Sequence, residues 1–262
     1  MPLLTFLSDF GGASPYPAAM KVAALAIAPQ AMLVDISHDV RPGAIREGAY
    51  LLWAVAPTCS GGTVHCVVVD PGVGTDRAPL AVASGGQVFV GPDNGVLLPA
   101  ARRVGTPAVY RLTNPAYWRP PVSPTFHGRD IFAPAAAHLA VGAPLADLGE
   151  PFAGWIDCAF PAGGWDGSAL LGEVLWIDGF GNLITSIPGA LLAEVPPSAA
   201  TAVDTPLRSV PAKIAQTFGD VAAGEAVVLV GSDGMVEVAV NQGRASARLR
   251  ATVGTRIRIR MR

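Results

Sequence analysis

Residues 64–79 read VHCVVVDPGVGTDRAP. An unbroken apolar run at 66–69 meets Asp70, then a Pro-Gly turn, a second glycine and Arg77. So short a run, rich in β-branched residues and bounded by turn residues, predicts a strand buried on both faces of a parallel sheet. In open α/β sheets ligands bind at the carboxyl ends of such strands. Asp70 is expected at that edge, with Gly72 and Gly74 letting the loop curl back and present Arg77 beside it. Two readings stand at this point: half of an active site, or an ion pair closing a structural turn.

Working outward, residues 3–7 form a second apolar run that ends in an acid and glycines, Ser8-Asp9-Phe10-Gly11-Gly12. Two such strand ends suggest one ligand between them, with Asp9 either accepting from a ribose diol or capping the next helix. Helical spacing over 16–28, stopped by Pro29, a strand at 32–36 and a helix at 44–55 complete a βαβαβ pattern, which calls for a parallel sheet with right-handed crossovers. Asp35, Ser37, His38 and Asp39 lack a metal-ligand signature and read as turn and cap groups. A hairpin at 80–84 and 87–90, a helix from Val96 and a strand at 108–112 follow. A Pro-rich loop then delivers His127 just ahead of a helix that carries His138, which reads as packed or on the surface. Residues 154–167 look like a linker. Beyond them come strands at 170–177 and 183–187, a hairpin at 227–230 and 236–240, and two closing strands, the last in the alternating Arg tail 256–262. The predicted architecture is an α/β domain over 1–153 with a mostly parallel sheet flanked by helices, and an antiparallel β-barrel-like domain over 168–262.

Composition narrows the function. Of 262 residues 51% are hydrophobic and 15% charged, which supports a sizeable core. A net charge of −2 gives no footprint for nucleic acid. Prolines and glycines interrupt every stretch before the roughly 18 to 20 apolar residues of a membrane span. The start of the chain lacks the basic segment of a signal peptide. Three cysteines, Cys59, Cys66 and Cys158, show no metal spacing and cannot all pair, so a reducing cytoplasm is expected.

Five motifs in order, SDFGG at Ser8, DPGVGTDR at Asp70, GPDNG at Gly91, TFHGRDIFAP at Thr125 and IDGFGN at Ile177, resemble the S-adenosylmethionine hydroxide adenosyltransferases, hydrolases related to the fluorinases and chlorinases. The resemblance implies a homotrimer with sites at subunit interfaces, acting on a small-molecule substrate without a metal or other cofactor. The implied reaction is attack of water or hydroxide on the 5′ carbon of S-adenosylmethionine, giving adenosine and L-methionine. It places catalysis on Asp70, Arg77 and His127, the ribose hydroxyls on Asp9, the methionine ammonium on Asp178, the adenine on Phe180 and Asn182, and the methionine carboxylate on Ser232. The chain departs from the family pattern at Ser14, where relatives carry an acid, and at Asp233, where the halogenating relatives carry arginine.

The residue types suit that chemistry. A neutral thioether leaves a sulfonium without acid assistance, so the catalytic demand falls on the nucleophile. Arg77 can stabilise hydroxide character while His127 and Asp70 orient the water or take its proton. A halide pocket would not place Asp70 against the anion, and only six residues separate Asp70 from Arg77, leaving no room for the fluorinase insertion. A halogenase and a non-catalytic sensor of adenosine or S-adenosylmethionine are the alternatives.

Overall fold

The computed structural model describes residues 1–193, 195 and 200–261. Arg262, the end of the Arg tail, lies outside them. The chain divides into two compact units, Met1–Ala159 and Phe160–Arg262, the division falling inside the 154–167 stretch.

The first unit runs β1 (Leu3–Ser8), α1 (Tyr16–Leu25), β2 (Met32–Ser37), α2 (Ile45–Val55), β3 (Val64–Val68), β4 (Pro79–Ser84), β5 (Gln87–Pro92), α3 (Leu98–Val104), β6 (Ala108–Leu112), α4 (Ala133–Ala140), α5 (Leu145–Leu148) and β7 (Gly149–Pro151). Its sheet has the order β2-β1-β3-β5-β4-β6-β7. Pairing is parallel from β2 through β1 and β3 to β5, and antiparallel beyond. β3 is central and wholly buried, as its apolar run predicts. Cys66 and Val68 pack with Leu4, Phe6, Met20 and Phe132 in one continuous core. Each fully buried side chain of this size contributes about 1.5–3 kcal/mol. His65, on the same strand, is buried between Thr5 Oγ1 at 2.7 Å and Gln87 Oε1 at 2.9 Å. Burial pushes its pKa down to about 4.

The second unit runs β8 (Gly164–Asp166), β9 (Ala169–Ile177), β10 (Leu183–Pro188), β11 (Ala200–Asp204), β12 (Ser209–Ile214), β13 (Ala226–Val230), β14 (Met235–Val240), α6 (Ala245–Leu249) and β15 (Arg256–Met261). Among the described residues the strands form a closed ring of seven, β10-β14-β13-β12-β11-β15-β9, sealed by β9 against β10, with β8 added outside on β9. Pairing is antiparallel except between β12 and β13, where the long connection 215–225 returns the chain in the same direction. Val174, Leu183, Val228, Val238 and Ile259 fill the interior.

The differences from the sequence reading lie at element ends, near the C-terminus and in four elements it does not give, α5, β7, β11 and β12, the last two being strands of the ring. α1 ends at Leu25, where a hydrogen-bonded turn follows in which Ala26 and Ala28 N–H still reach Val22 O and Ala24 O ahead of Pro29. α3 begins at Leu98 rather than Val96. β8 adds a short strand within the 154–167 stretch. Of the two expected closing strands one is α6, whose Ala245 and Leu249 are buried four residues apart on a single helical face.

Candidate active site

Asp70 follows the end of β3, where the turn 70–77 folds back on it. Arg77 donates Nε to both Asp70 oxygens, at 3.0 and 3.1 Å, and Nη2 to Oδ2 at 2.6 Å. The pair is largely removed from water, with side-chain exposures of 9% for Arg77 and 4% for Asp70. The guanidinium also sits 5.0 Å from the Phe132 ring centroid. Its Nη2 is 2.7 Å from His127 Nδ1. A guanidinium only donates, so Nδ1 accepts and the neutral ring carries its proton on Nε2. Burial first, and the Arg77 charge second, hold the His127 pKa below its ordinary value, against opposing pulls from Asp70 and Asp130. The three side chains form one chain: a carboxylate oriented by a guanidinium, which in turn fixes the tautomer of an imidazole.

Local backbone explains why these residues meet. His127 precedes a π-helical turn, Gly128–Phe132, that feeds α4, with Pro134 tolerated in the first turn. A side chain at Gly128 would start 2.9 Å from Met20 Sδ and 3.2 Å from Val68, so glycine seats this turn directly against α1 and β3. The loop is clamped by Asp130, fully buried, which accepts from Arg129, Arg119 and the Ser123 N–H. Burial alone would raise the Asp130 pKa, but these hydrogen bonds hold it below its ordinary value.

Gly74 has φ +78°, and a Cβ there would lie 2.5 Å from the Pro124 carbonyl oxygen, backbone against backbone. Gly74→Ala is therefore expected to push the Arg77 turn and the His127 loop apart. A misplacement of that scale lowers turnover by about a hundredfold. Single-turnover kinetics alongside a melting curve check this, and a variant with native turnover would refute it.

Asp9 does not cap α1, whose N-cap is Pro15 without a side-chain bond. Its Oδ2 accepts from Gly43 N at 2.8 Å, leaving Oδ1 without a partner among the described residues. Phe10, Tyr16 and Phe126 join the Asp9 and His127 loops in three edge-to-face contacts of 5.3 to 5.7 Å. Ser14 Oγ is buried and makes no hydrogen bond. The polar groups after β2 tie loops together, as expected: His38 bonds Ser8 and Asp35, and Asp39 accepts from Gly12 N. His138 packs edge-on against Tyr117. Asp93 accepts from Ile156 N, while Asn94 donates to Val69 O and accepts from Val96 N.

The other predicted residues lie in the second unit, where Asp178, Phe180 and Asn182 line a cavity of about 630 Å³ with Glu237, Gln242 and Arg244. Asp178 organises its own loop: Oδ1 accepts from Phe180 N and Asn182 N, both at 2.9 Å, and Oδ2 from Asn182 Nδ2 at 3.0 Å. The Phe180 ring is 78% exposed, an aromatic face available for stacking. Arg244 Nη1 donates to Gly179 O at 2.9 Å. Ser232 is exposed on the β13–β14 turn and does not line the cavity. Glu237 was not expected from the sequence. The signal for it is a single acid in the alternating strand Val-Glu-Val-Ala-Val, with its neighbours buried. Among the described residues no group of three or more His, Cys, Asp or Glu is arranged to hold a metal ion. No helix there is long and apolar enough to cross a membrane.

Residues 4–149 match the SAM hydroxide adenosyltransferase N-terminal domain, and residues 172–258 match the C-terminal domain of the same family. The chain is 43% identical to the (R)-S-adenosyl-L-methionine hydrolase of Salinispora tropica, over 98% of this chain and 97% of that protein. A fluorinase from an Actinoplanes species is 28% identical over 71% of this chain and 72% of its own length. The crystal structure of an uncharacterized conserved protein from Thermotoga maritima superposes with a TM-score of 0.94 at 36% identity, covering 98% of this chain and 99% of that one. With both domains of one family matched in order, the protein belongs to the SAM hydroxide adenosyltransferases.

Proposed function

We propose that the protein hydrolyses S-adenosyl-L-methionine to adenosine and L-methionine. The observation that carries this reading is the Asp70–Arg77–His127 chain, with its two-pronged ion pair and its 2.7 Å contact to the ring. In the proposed step, water oxygen bonds to the 5′ carbon as the carbon–sulfur bond breaks, the electron pair leaving on sulfur as a neutral thioether. Arg77 stabilises developing hydroxide, His127 Nε2–H orients the water, and Asp70 accepts its proton. An in-line water about 3 to 3.5 Å from carbon replaces a bimolecular encounter. Since the leaving group is neutral, the reaction draws on no cofactor.

Asp9 is proposed to hold the ribose hydroxyls, Asp178 the ammonium, Phe180 and Asn182 the adenine, and Ser232 the carboxylate. The working assembly proposed is a cytoplasmic homotrimer with sites at subunit interfaces. Likeness to a relative named as a hydrolase over nearly its whole length supports the reaction.

Incubation with S-adenosylmethionine in water labelled with heavy oxygen, with and without chloride, tests the reading. Because that relative's name specifies the R form, both sulfonium epimers should be offered. Heavy oxygen at the 5′ hydroxyl of adenosine, regardless of chloride, is the expected result. A 5′-chloro product would make the protein a halogenase, and bound but unconverted ligand would make it a sensor.

A further inference from the structure

A line of hydrogen bonds runs from α1 through the end of β2 to the loop that carries Asp9, and the hydrolytic step uses none of it. Lys21 Nζ meets Asp35 Oδ2 at 2.5 Å. Asp35 Oδ1 lies 3.1 Å from His38 Nε2, and His38 Nδ1 lies 2.7 Å from Ser8 Oγ. Ser8 and His38 are buried, whereas Asp35 stands at the rim. An ionised carboxylate only accepts, so Nε2 carries the ring proton, Nδ1 accepts, and the Ser8 hydroxyl is the donor. Burial alone would raise the Asp35 pKa, but its bonds to Lys21 and His38 hold it below its ordinary value, which keeps it the accepting end. With its proton committed to His38, Ser8 Oγ presents a lone pair to the Phe10 N–H at 3.4 Å, closing a turn over Asp9. The segment 37–43 holds the same loop at three further points. Gly11 N donates to His38 O at 2.7 Å, Gly12 N to Asp39 Oδ1 at 2.7 Å and Gly43 N to Asp9 Oδ2 at 2.8 Å.

We propose that His38 is a positioning residue: through Ser8 it fixes the turn that carries Asp9, so that the open Oδ1 is held ready for the hydroxyls of a nucleoside's ribose. The proposal rests on reading Asp9 as the ribose contact. Asp9 begins a loop with two glycines, Gly11 and Gly12, and a carboxylate on such a loop samples many orientations. The affinity a hydroxyl draws from it depends on how much of that freedom is removed before the ligand arrives. Of the bonds that remove it, the one between Ser8 and His38 joins two buried side chains, where water offers no replacement. Without an acceptor at position 38 the Ser8 proton loses its partner, the hydroxyl is released, and the bond from Phe10 loses its direction. His38 therefore acts on the ligand through Asp9 and touches none of the reacting atoms.

The experiment is calorimetric titration of the full-length protein with adenosine and with 2′,3′-dideoxyadenosine, which lacks both hydroxyls. The wild type should prefer adenosine by at least about tenfold, the scale of hydrogen bonds to a charged group. In His38→Leu that preference should fall below about threefold, through weaker adenosine binding alone. His38→Asn, which keeps a carbonyl oxygen to accept from Ser8, should retain more of it. Ser8→Ala, a smaller change in the same place, should lose the preference as His38→Leu does. In an Asp9→Ala background, adding His38→Leu should change adenosine binding by less than about twofold, because both act through one carboxylate. An unchanged preference in a folded His38→Leu or in Ser8→Ala, equal weakening of both ligands, or a further loss in the Asp9→Ala background would overturn the proposal. If the wild type binds the two nucleosides alike, or binds neither, the ribose reading of Asp9 itself fails, a result distinct from failure of the His38 role.

Discussion

Replacing Arg77 with methionine should stop adenosine formation and destabilise the first unit together. Arg77 is the shared partner of Asp70 and His127, so its loss leaves a nearly buried carboxylate unpaired and an imidazole free to change tautomer. Removing one preorganised donor at a reacting centre commonly costs a factor of about 10² to 10³ in turnover. Losing the partner that orients the other two groups should place the effect at or above the upper end. Breaking a buried pair from one side costs about 3–5 kcal/mol, which lowers the melting temperature on the order of 10 °C for a unit this size. The double variant Asp70→Leu with Arg77→Met removes both charges and should regain much of the stability while staying inactive. If Arg77→Met turned over at the wild-type rate, the ion pair would be structural and the mechanism above wrong.

His127→Ala should separate chemistry from binding. The expected loss in kcat is about 10² to 10⁴, with the Kd for S-adenosylmethionine nearly unchanged. His127→Asn can still accept from Arg77 through its carbonyl but lacks Nε2–H, and it should remain slow. The wild type should show an acid limb in kcat with its midpoint below the ordinary histidine value of 6.5, because burial and Arg77 both favour the neutral ring. The sign follows: protonation adds a second cation beside Arg77 and removes the Nδ1 acceptor, so activity falls as pH falls. His65 acts in the same direction on stability. Its pKa is lowered on folding, so the unfolded chain takes up a proton first, and stability drains away between pH 6.5 and about 4. Activity recovered on return to neutral pH distinguishes titration of His127 from unfolding. Parallel loss of binding and turnover in His127→Ala would mark the ring as structural.

What was legible in the sequence follows from where the signal is local. β3 and its acid-glycine turn could be read because a buried parallel strand has an apolar run and a loop needs glycines. Both are properties of adjacent residues. The contact between Arg77 and His127 spans fifty positions and depends on Gly74 admitting Pro124, a tertiary fact no window of sequence displays. The five motifs supplied it by resemblance rather than by spacing. The stretch ahead of β15 reads as strand or helix alike, because the five residues of α6, with two buried positions, fit either period. Glu237 went unnoticed because an outward acid on an alternating strand looks like ordinary solvation, and only the fold shows Asn182 and Asp178 beside it.

Ring closure in the second unit bears on how such a protein changes over generations. Each of the seven strands has a neighbour on both sides, and the residues that line the cavity hang largely from connections between them. Substitutions at Phe180, Gln242 or Arg244 leave the interior packing untouched, so many can be sampled without forfeiting the frame. If this cavity holds the base as proposed, its recognition is thus free to drift toward new ones. Asp70, Arg77 and His127 are bound into one another and change together or not at all. Diversification of the family is expected to be recorded first in the barrel's loops.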